Sequence, residues 1–302
     1  MPARVFYCDH HEIPLPDGHK FPMRKYRLLR DRLAATGLFD LQPASLASLD
    51  QVTLVHDATY TQAFVEGTLD QQMMRRIGFP WSPGLVQRTL ASVGSTLAAS
   101  RVALETGWGG GLAGGTHHAF RDAGSGFCIF NDMAVAIAVL RAERRIGRVA
   151  IVDLDVHQGD GTATLFADDP ETLTISLHGR NNFPFRKQQS KLDIEFEDGA
   201  TDDVYLPVVA RIVEQVREFA PDLVYFQSGV DSLATDRLGK LSLTHAGLQQ
   251  RDALVLALPY PMVIVLGGGY SEPIESTVEG HFNTFTAAAN REPLRDRSLI
   301  RA

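Results

Sequence analysis

The thirteen residues Val149–Gly161 (VAIVDLDVHQGDG) pass abruptly from an apolar, β-branched run to Asp153, Asp155, His157 and Asp160. The run reads as a strand buried on both faces of a parallel sheet. Side chains alternate along a strand, so Asp153, Asp155 and His157 share one side at its carboxyl end. Open α/β sheets bind ligands at that end. Three ionisable groups on one face desolvate at high cost unless a cation gathers them. The two-residue spacing in Asp155-x-His157 brings a carboxylate and an imidazole to one ion, and Asp/His ligation with open positions suits a catalytic zinc. Asp231, in FQSGVDSLATD directly after the apolar run Leu223–Gln227, is the candidate third ligand. A turn or N-cap aspartate reads the same way.

Three further groups stand at comparable junctions. In GGTHH (Gly114–His118) adjacent histidines serve one site only on a tight turn, which the glycines permit. Asp153 and Asp160 are free to back the second ring nitrogens, an arrangement for moving protons near neutral pH; a surface histidine pair is the alternative. Gly267–Gly268–Gly269–Tyr270 follows the apolar run Met262–Leu266. Its glycines let backbone approach a ligand closely, and its phenol can donate to an oxyanion. No Walker lysine or Gly-x-Gly-x-x-Gly pattern supports a nucleotide there. Phe127 after Gly126, and Phe183 before Pro184, either plug the core or line an entrance for an aliphatic chain.

Alternating strands and helices must position these groups. Strands are expected at residues 4–8, 149–153, 172–177, 223–227 and 262–266. Helices are expected near 23–35, 59–66, 85–105, 131–144, 204–219 and 245–258. Val52–Val55 reads as a short strand or a turn. Met73–Gly84, with Gly78, Pro80, Trp81 and Pro83, reads as a rigid loop rimming a pocket, and Gly107–Gly126 as a glycine-rich connection. The fold class is α/β, a doubly wound, mostly parallel sheet flanked by helices. No repeat or linker divides it, so residues 1–302 are expected to form one catalytic domain.

Composition narrows the function. Lys+Arg total 29 against 36 Asp+Glu, a net charge of −7, which argues against nucleic-acid binding through a bulk field and favours basic peptides weakly. Two cysteines make no disulfide scaffold. The amino terminus lacks a basic-then-apolar signal pattern, and the longest uncharged run, Ala253–Tyr270, is interrupted by Pro259, Pro261 and three glycines. A cytoplasmic protein without membrane partners is expected; the oligomeric state is not legible.

In order, GGTHHAF, GFCIFND, VDLDVHQGDG, SGVD and GGGY resemble the zinc-dependent histone deacetylase superfamily, which shares its fold with the arginases. PLPDGHKFPM and SLHGRNNFPFRK look closest to class IV-like bacterial members. The resemblance implies one Zn2+ on Asp155, His157 and Asp231, with His118 the general base and His117 an electrostatic or proton-donating partner. Asp153 would orient His117, Asp160 would orient His118, and Tyr270 would bind the substrate carbonyl. Phe127, Phe183, Gly126 and Gly268 would line an acyl-lysine tunnel. Structural K+ or Na+ is implied at an inner set (Asp153, Asp155, His157, Ser176, Leu177) and an outer set (Phe166, Asp169, Thr172). Arg24 aligns with an arginine near the tunnel floor, whereas the rim aspartate that grips substrate backbone in many members has no counterpart.

The expected reaction is removal of an acyl group from an N-acyl amine, an acyl-lysine peptide or protein first. An acetylpolyamine or other acylated small amine is the alternative. An arginase-like ureohydrolase with two manganese ions would want further bridging carboxylates, and Ser232 follows Asp231. A catalytically silent acyl-binding module is the reading from outside enzymes.

Overall fold

Three apolar strands sort their side chains alternately onto two cores. In β4 (Val149–Asp153), Ala150 and Val152 join one cluster and Val149 and Ile151 the other. The same alternation divides Val224 and Phe226 from Leu223 and Tyr225 in β7 (Leu223–Gln227), and Met262 and Ile264 from Val263 and Val265 in β8 (Met262–Val265). A strand buried on both faces needs a helical layer on each. One layer contains α1 (Arg24–Ala34), α8 (Asp202–Phe219), α9 (His245–Leu256) and α10 (Ile274–Ala289). The other contains α5 (Pro83–Thr106) and α6 (Asp132–Ala142).

The computed structural model describes residues 2–291; residues 1 and 292–302 of the expected 1–302 unit lie outside the described residues. The remaining strands are β1 (Ala3–Tyr7), β2 (Phe39–Pro43), β3 (Trp108–Gly111), β5 (Thr172–Gly179) and β6 (Leu192–Phe196). They form an eight-stranded sheet in the order β2-β1-β3-β8-β7-β4-β5-β6, with every pairing parallel. Short helices α2 (Leu49–Val52), α3 (Ala58–Glu66), α4 (Gln71–Ile77) and α7 (Asp160–Leu165) fill the connections. Among the described residues no helix is long and apolar enough to cross a membrane.

Two local expectations need correction. Gly107–Gly126 holds strand β3, although glycine is depleted in strands. The reason is close packing: a Cβ on Gly109 would lie 2.3 Å from the Ala99 carbonyl oxygen, and one on Gly110 2.5 Å from the Phe285 ring. The first half of Met73–Gly84 is helical, because Asp70 caps the Met73 N–H at 2.7 Å and Gly78 closes α4 with φ of 89°. Of the two readings of Val52–Val55 the turn holds, entered from the end of α2.

His56, fully buried, ties the connection before α6 together. Its Nδ1 donates to the Phe120 carbonyl at 2.9 Å, and its Nε2 accepts from the Asn131 N–H at 2.9 Å. A proton on Nε2 would face that N–H, and burial holds the ring down at about 4, against the pull of the Phe120 carbonyl. The unfolded chain therefore takes up more protons than the folded one between the ordinary histidine value near 6.5 and about 4. His56's contribution to stability is complete above pH 6.5 and is lost as pH falls through about 4, up to roughly 3 kcal/mol. The melting temperature should drop between pH 7 and pH 5. That drop should be smaller in His56→Gln; an equal drop in the variant would remove His56 from the acid response.

Candidate active site

Strands β3, β8, β7 and β4 are neighbours in the sheet, and the loops after their carboxyl ends carry His117, His118, Asp155, His157, Asp231 and Tyr270. The loop after β4 brings Asp155 and His157, and the loop after β7 brings Asp231. His157 Nδ1 lies 3.0 Å from Asp155 Oδ1 and 3.1 Å from Asp231 Oδ2. One donor atom from each of the three residues falls within 4.8 Å of the others, and among the described residues this is the one group so arranged. Asp155 and Asp231 are 2% and 0% exposed. Burial, reinforced by the Asp155 charge, pushes Asp231 up to about 7. Two desolvated carboxylates facing one imidazole form a donor set that fits a divalent cation, which would relieve their repulsion.

Adjacent carboxylates hold the loop in place. Asp155 Oδ2 accepts the Gly268 N–H at 2.6 Å, and Asp231 Oδ1 accepts the Val156 N–H at 2.9 Å. Gly268 is needed for this contact, since a Cβ there would lie 1.8 Å from Asp231 Oδ2.

The loop after β3 places both histidine rings in the same cavity, their centroids 4.1 Å apart. His117 Nδ1 bonds Asp153 Oδ2 at 2.7 Å, and His118 Nδ1 bonds Asp160 Oδ1 at 2.7 Å. Similar partners give opposite protonation. Burial opposes charge on His117, but Asp153 and then Asp155 outweigh it and hold the ring at about 9. Burial and the charge of His117 press His118 down to about 4, against the pull of Asp160. At neutral pH, His118 is thus a neutral base and His117 a cation. Tyr270 lines the cavity too. Burial, with the Asp155 and Asp231 charges behind it, raises its phenol well above the usual range and keeps it a neutral donor.

A family model described as "Histone deacetylase domain" matches residues 19–285. The chain belongs to the histone deacetylase family. It is 45% identical over 285 residues to an uncharacterized protein of Picosynechococcus sp., covering 92% of this chain and 95% of that one. Acetoin utilization protein AcuC of Bacillus subtilis is 32% identical over 300 residues, covering 89% and 76%. A histone deacetylase homolog from Aquifex aeolicus shares the fold with a TM-score of 0.83, at 24% identity, over 97% of this chain and 85% of that one.

Several residues that build this histone deacetylase-family site were not singled out in the sequence. Asp132 accepts the Gly115 N–H at 3.1 Å and the Thr116 N–H at 2.7 Å, shaping the turn that presents the histidines. The Gln227 amide lies 2.8 Å from His117 Nδ1; a polar residue ending the apolar run LVYFQ was the available signal. Arg24, aligned with the tunnel-floor arginine, is exposed, and its neighbour Lys25 turns inward instead. Successive helical residues point about 100° apart. Lys25 shares a four-residue stripe with Leu29 and Leu33, all buried. Its Nζ donates to the Gly267 and Gly269 carbonyls at 3.4 and 3.3 Å and lies 5.2 Å from the Tyr270 ring centroid. Asp236 accepts the Tyr270 N–H at 2.6 Å.

Phe127 and Phe183 both line a cavity of about 1030 Å³. The Phe183 ring stands edge-on to His118 with centroids 4.9 Å apart. Phe127 adopts a left-handed φ of 66° directly after Gly126 at 53°, a strain of about 1 kcal/mol or more for a bulky residue. Bonds from Gly126 N–H to the Arg76 carbonyl (3.2 Å) and from Phe127 N–H to the Ile77 carbonyl (2.8 Å) hold it there. A Cβ on Gly126 would come within 2.7 Å of the His118 ring.

The two expected monovalent-cation sets differ. Within the inner set, Asp153 and Ser176 are direct neighbours across β4 and β5. In the outer set the Asp169 carboxylate is engaged by Arg141 at 2.6 Å and by the Thr172 hydroxyl at 2.7 Å, and the Phe166 carbonyl accepts the Asp169 N–H at 3.2 Å.

Proposed function

We propose that this chain is a zinc-dependent amidohydrolase that removes acyl groups from N-acyl amines, with acyl-lysine as the leading substrate and residues 1–302 acting as one catalytic unit. The observation that carries the reading is one cavity lined by Asp155 and His157 of the donor set, a neutral carboxylate-backed His118 and the Tyr270 phenol. Asp231 completes the donor set. Bound there, a divalent cation would supply a Lewis acid for the carbonyl oxygen and lower the pKa of water from about 16 toward 7.

The chain's own groups perform the rest. Asp160 takes the hydrogen bond from His118 Nδ1, which leaves Nε2 to accept the proton of the attacking water. Tyr270 donates its O–H to the oxygen that gains charge. His117, backed by Asp153 at 2.7 Å, stabilises that charge and, with His118, returns a proton to the departing amine. Phe127 and Phe183 narrow the entrance around the acyl-lysine stem and exclude bulk water. A two-metal ureohydrolase finds no support in a single donor group among the described residues.

The test is hydrolysis of an acyl-chain series, from acetyl upward, on a lysine peptide and on acetylated polyamines, with zinc measured on the same sample. The expected result is amide hydrolysis with about one zinc per chain. Two manganese ions with urea release, or inertness of the zinc-loaded protein toward every acyl amine, would overturn the reading.

A further inference from the structure

The mouth of the cavity has a charge opposite to that of the chain. Five exposed cations line it: Lys20, Arg75, Arg76, Arg186 and Lys240. The two lining carboxylates, Asp155 and Asp160, are 2% and 5% exposed. Both are already engaged, with His157 and Gly268 and with His118. Lys240 pairs with Asp198 at 3.7 Å. Lys20, Arg75, Arg76 and Arg186 form no ion pair among the described residues; Arg75 bonds the neutral Gln71 side chain at 3.2 Å and Arg76 lies over the Phe120 ring.

The cations stand on both walls of the entrance. On one wall, the carbonyls of Arg76 and Ile77 hold the loop that carries Phe127, and His19, next to Lys20, bonds the Gly78 carbonyl at 2.9 Å. On the other, Asn182 precedes Phe183 and binds the Leu238 carbonyl at 2.8 Å and the Lys240 N–H at 3.3 Å. Phe185, 87% exposed and edge-on to Phe183, and then Arg186 continue that wall outward. An extended chain whose acyl-lysine enters between Phe127 and Phe183 would therefore have cations on either side.

Resting on the deacylase reading above, we infer that the preferred substrate is an acyl-lysine flanked by acidic residues, held at the mouth by Lys20, Arg75, Arg76 and Arg186. Charges within reach of the bound chain decide this rather than the net charge of −7, because distant surface charge is screened beyond about 10 Å at 0.1 M salt. The weak preference for basic peptides expected from composition is thereby reversed. A cationic acetylpolyamine meets like charge at the same mouth.

The experiment compares acetyl-lysine peptides of one length with Glu, Gln or Lys flanks, together with an acetylpolyamine, on zinc-loaded protein at low and high salt. Exposed charge contacts are individually worth about a factor of two to five, so two of them predict a Glu-to-Lys ratio in kcat/KM of roughly tenfold or more at low salt, acting through KM. The ratio should fall toward one at high salt and also in Arg75→Glu/Arg186→Glu, which leaves two cations against two carboxylates. Equal or reversed ratios in the unaltered protein, or an acetylpolyamine matching the Glu peptide, would overturn the inference. Anisotropy of the same labelled peptides gives a second answer that does not need turnover: equal Kd for Glu and Lys flanks also overturns it. Failure to hydrolyse the Gln-flanked peptide counts against the deacylase reading instead.

Discussion

Asp231→Asn is expected to lower divalent-metal affinity by at least about a hundredfold and turnover of an acyl-lysine substrate by about a thousandfold or more. The substitution keeps the side chain's shape, and its amide oxygen can still accept the Val156 N–H that Asp231 Oδ1 accepts at 2.9 Å. What it removes is the second oxygen, 3.1 Å from His157 Nδ1, and one of the two negative charges in the donor set. Without metal, that charge is a burden, because burial and Asp155 have pushed Asp231 up to about 7. Above pH 7 the metal-free Asn variant should therefore melt no lower than the metal-free parent. Adding zinc should raise the melting temperature of the parent and leave the variant nearly unmoved. The opposite signs separate loss of a ligand from loss of fold. A variant that keeps one tightly held zinc and parental turnover would remove Asp231 from the donor set.

The carboxyl-end junctions were legible because their chemistry interrupts apolar strands. Asp155, His157, Asp231 and Tyr270 each follow a run of buried residues, and the three such runs, β8, β7 and β4, lie side by side in one sheet. Strand β3 was not legible, since its WGGG reads as a loop; only the nearness of Ala99 and Phe285, distant in sequence, makes glycine the residue that fits. The opposite states of His117 and His118 were equally hidden. Both have an aspartate at 2.7 Å, but only His117 also feels Asp155, and His118 then feels His117. Lys25 was missed by one position, because adjacent helical residues diverge and alignment alone favours an arginine. The cationic mouth draws on residues from position 20 to position 240, so no window of sequence displays it, and the net charge points the other way.

Tyr270→Phe should lower kcat by about 10²–10³ while leaving KM, zinc content and melting temperature close to those of the parent. The ring is retained, and with it the contacts to Phe21 and Phe127 at centroid distances of 6.4 and 6.3 Å. The backbone anchors also survive, since Asp236 accepts the residue's N–H and Arg237 donates to its carbonyl at 3.2 Å. Only the O–H is lost. In the ground state that donor meets an amide oxygen with partial charge, but in the transition state it meets an oxyanion, so its removal weakens the transition state more than substrate binding. Rate and affinity should therefore separate: a variant with raised KM and unchanged kcat would make Tyr270 a wall of the pocket rather than a donor to the reacting oxygen. Full activity of Tyr270→Phe would go further and leave the oxyanion to the cation and His117, whose charge rests on Asp153; Asp153→Asn would then have to show the large loss in kcat that Tyr270→Phe did not.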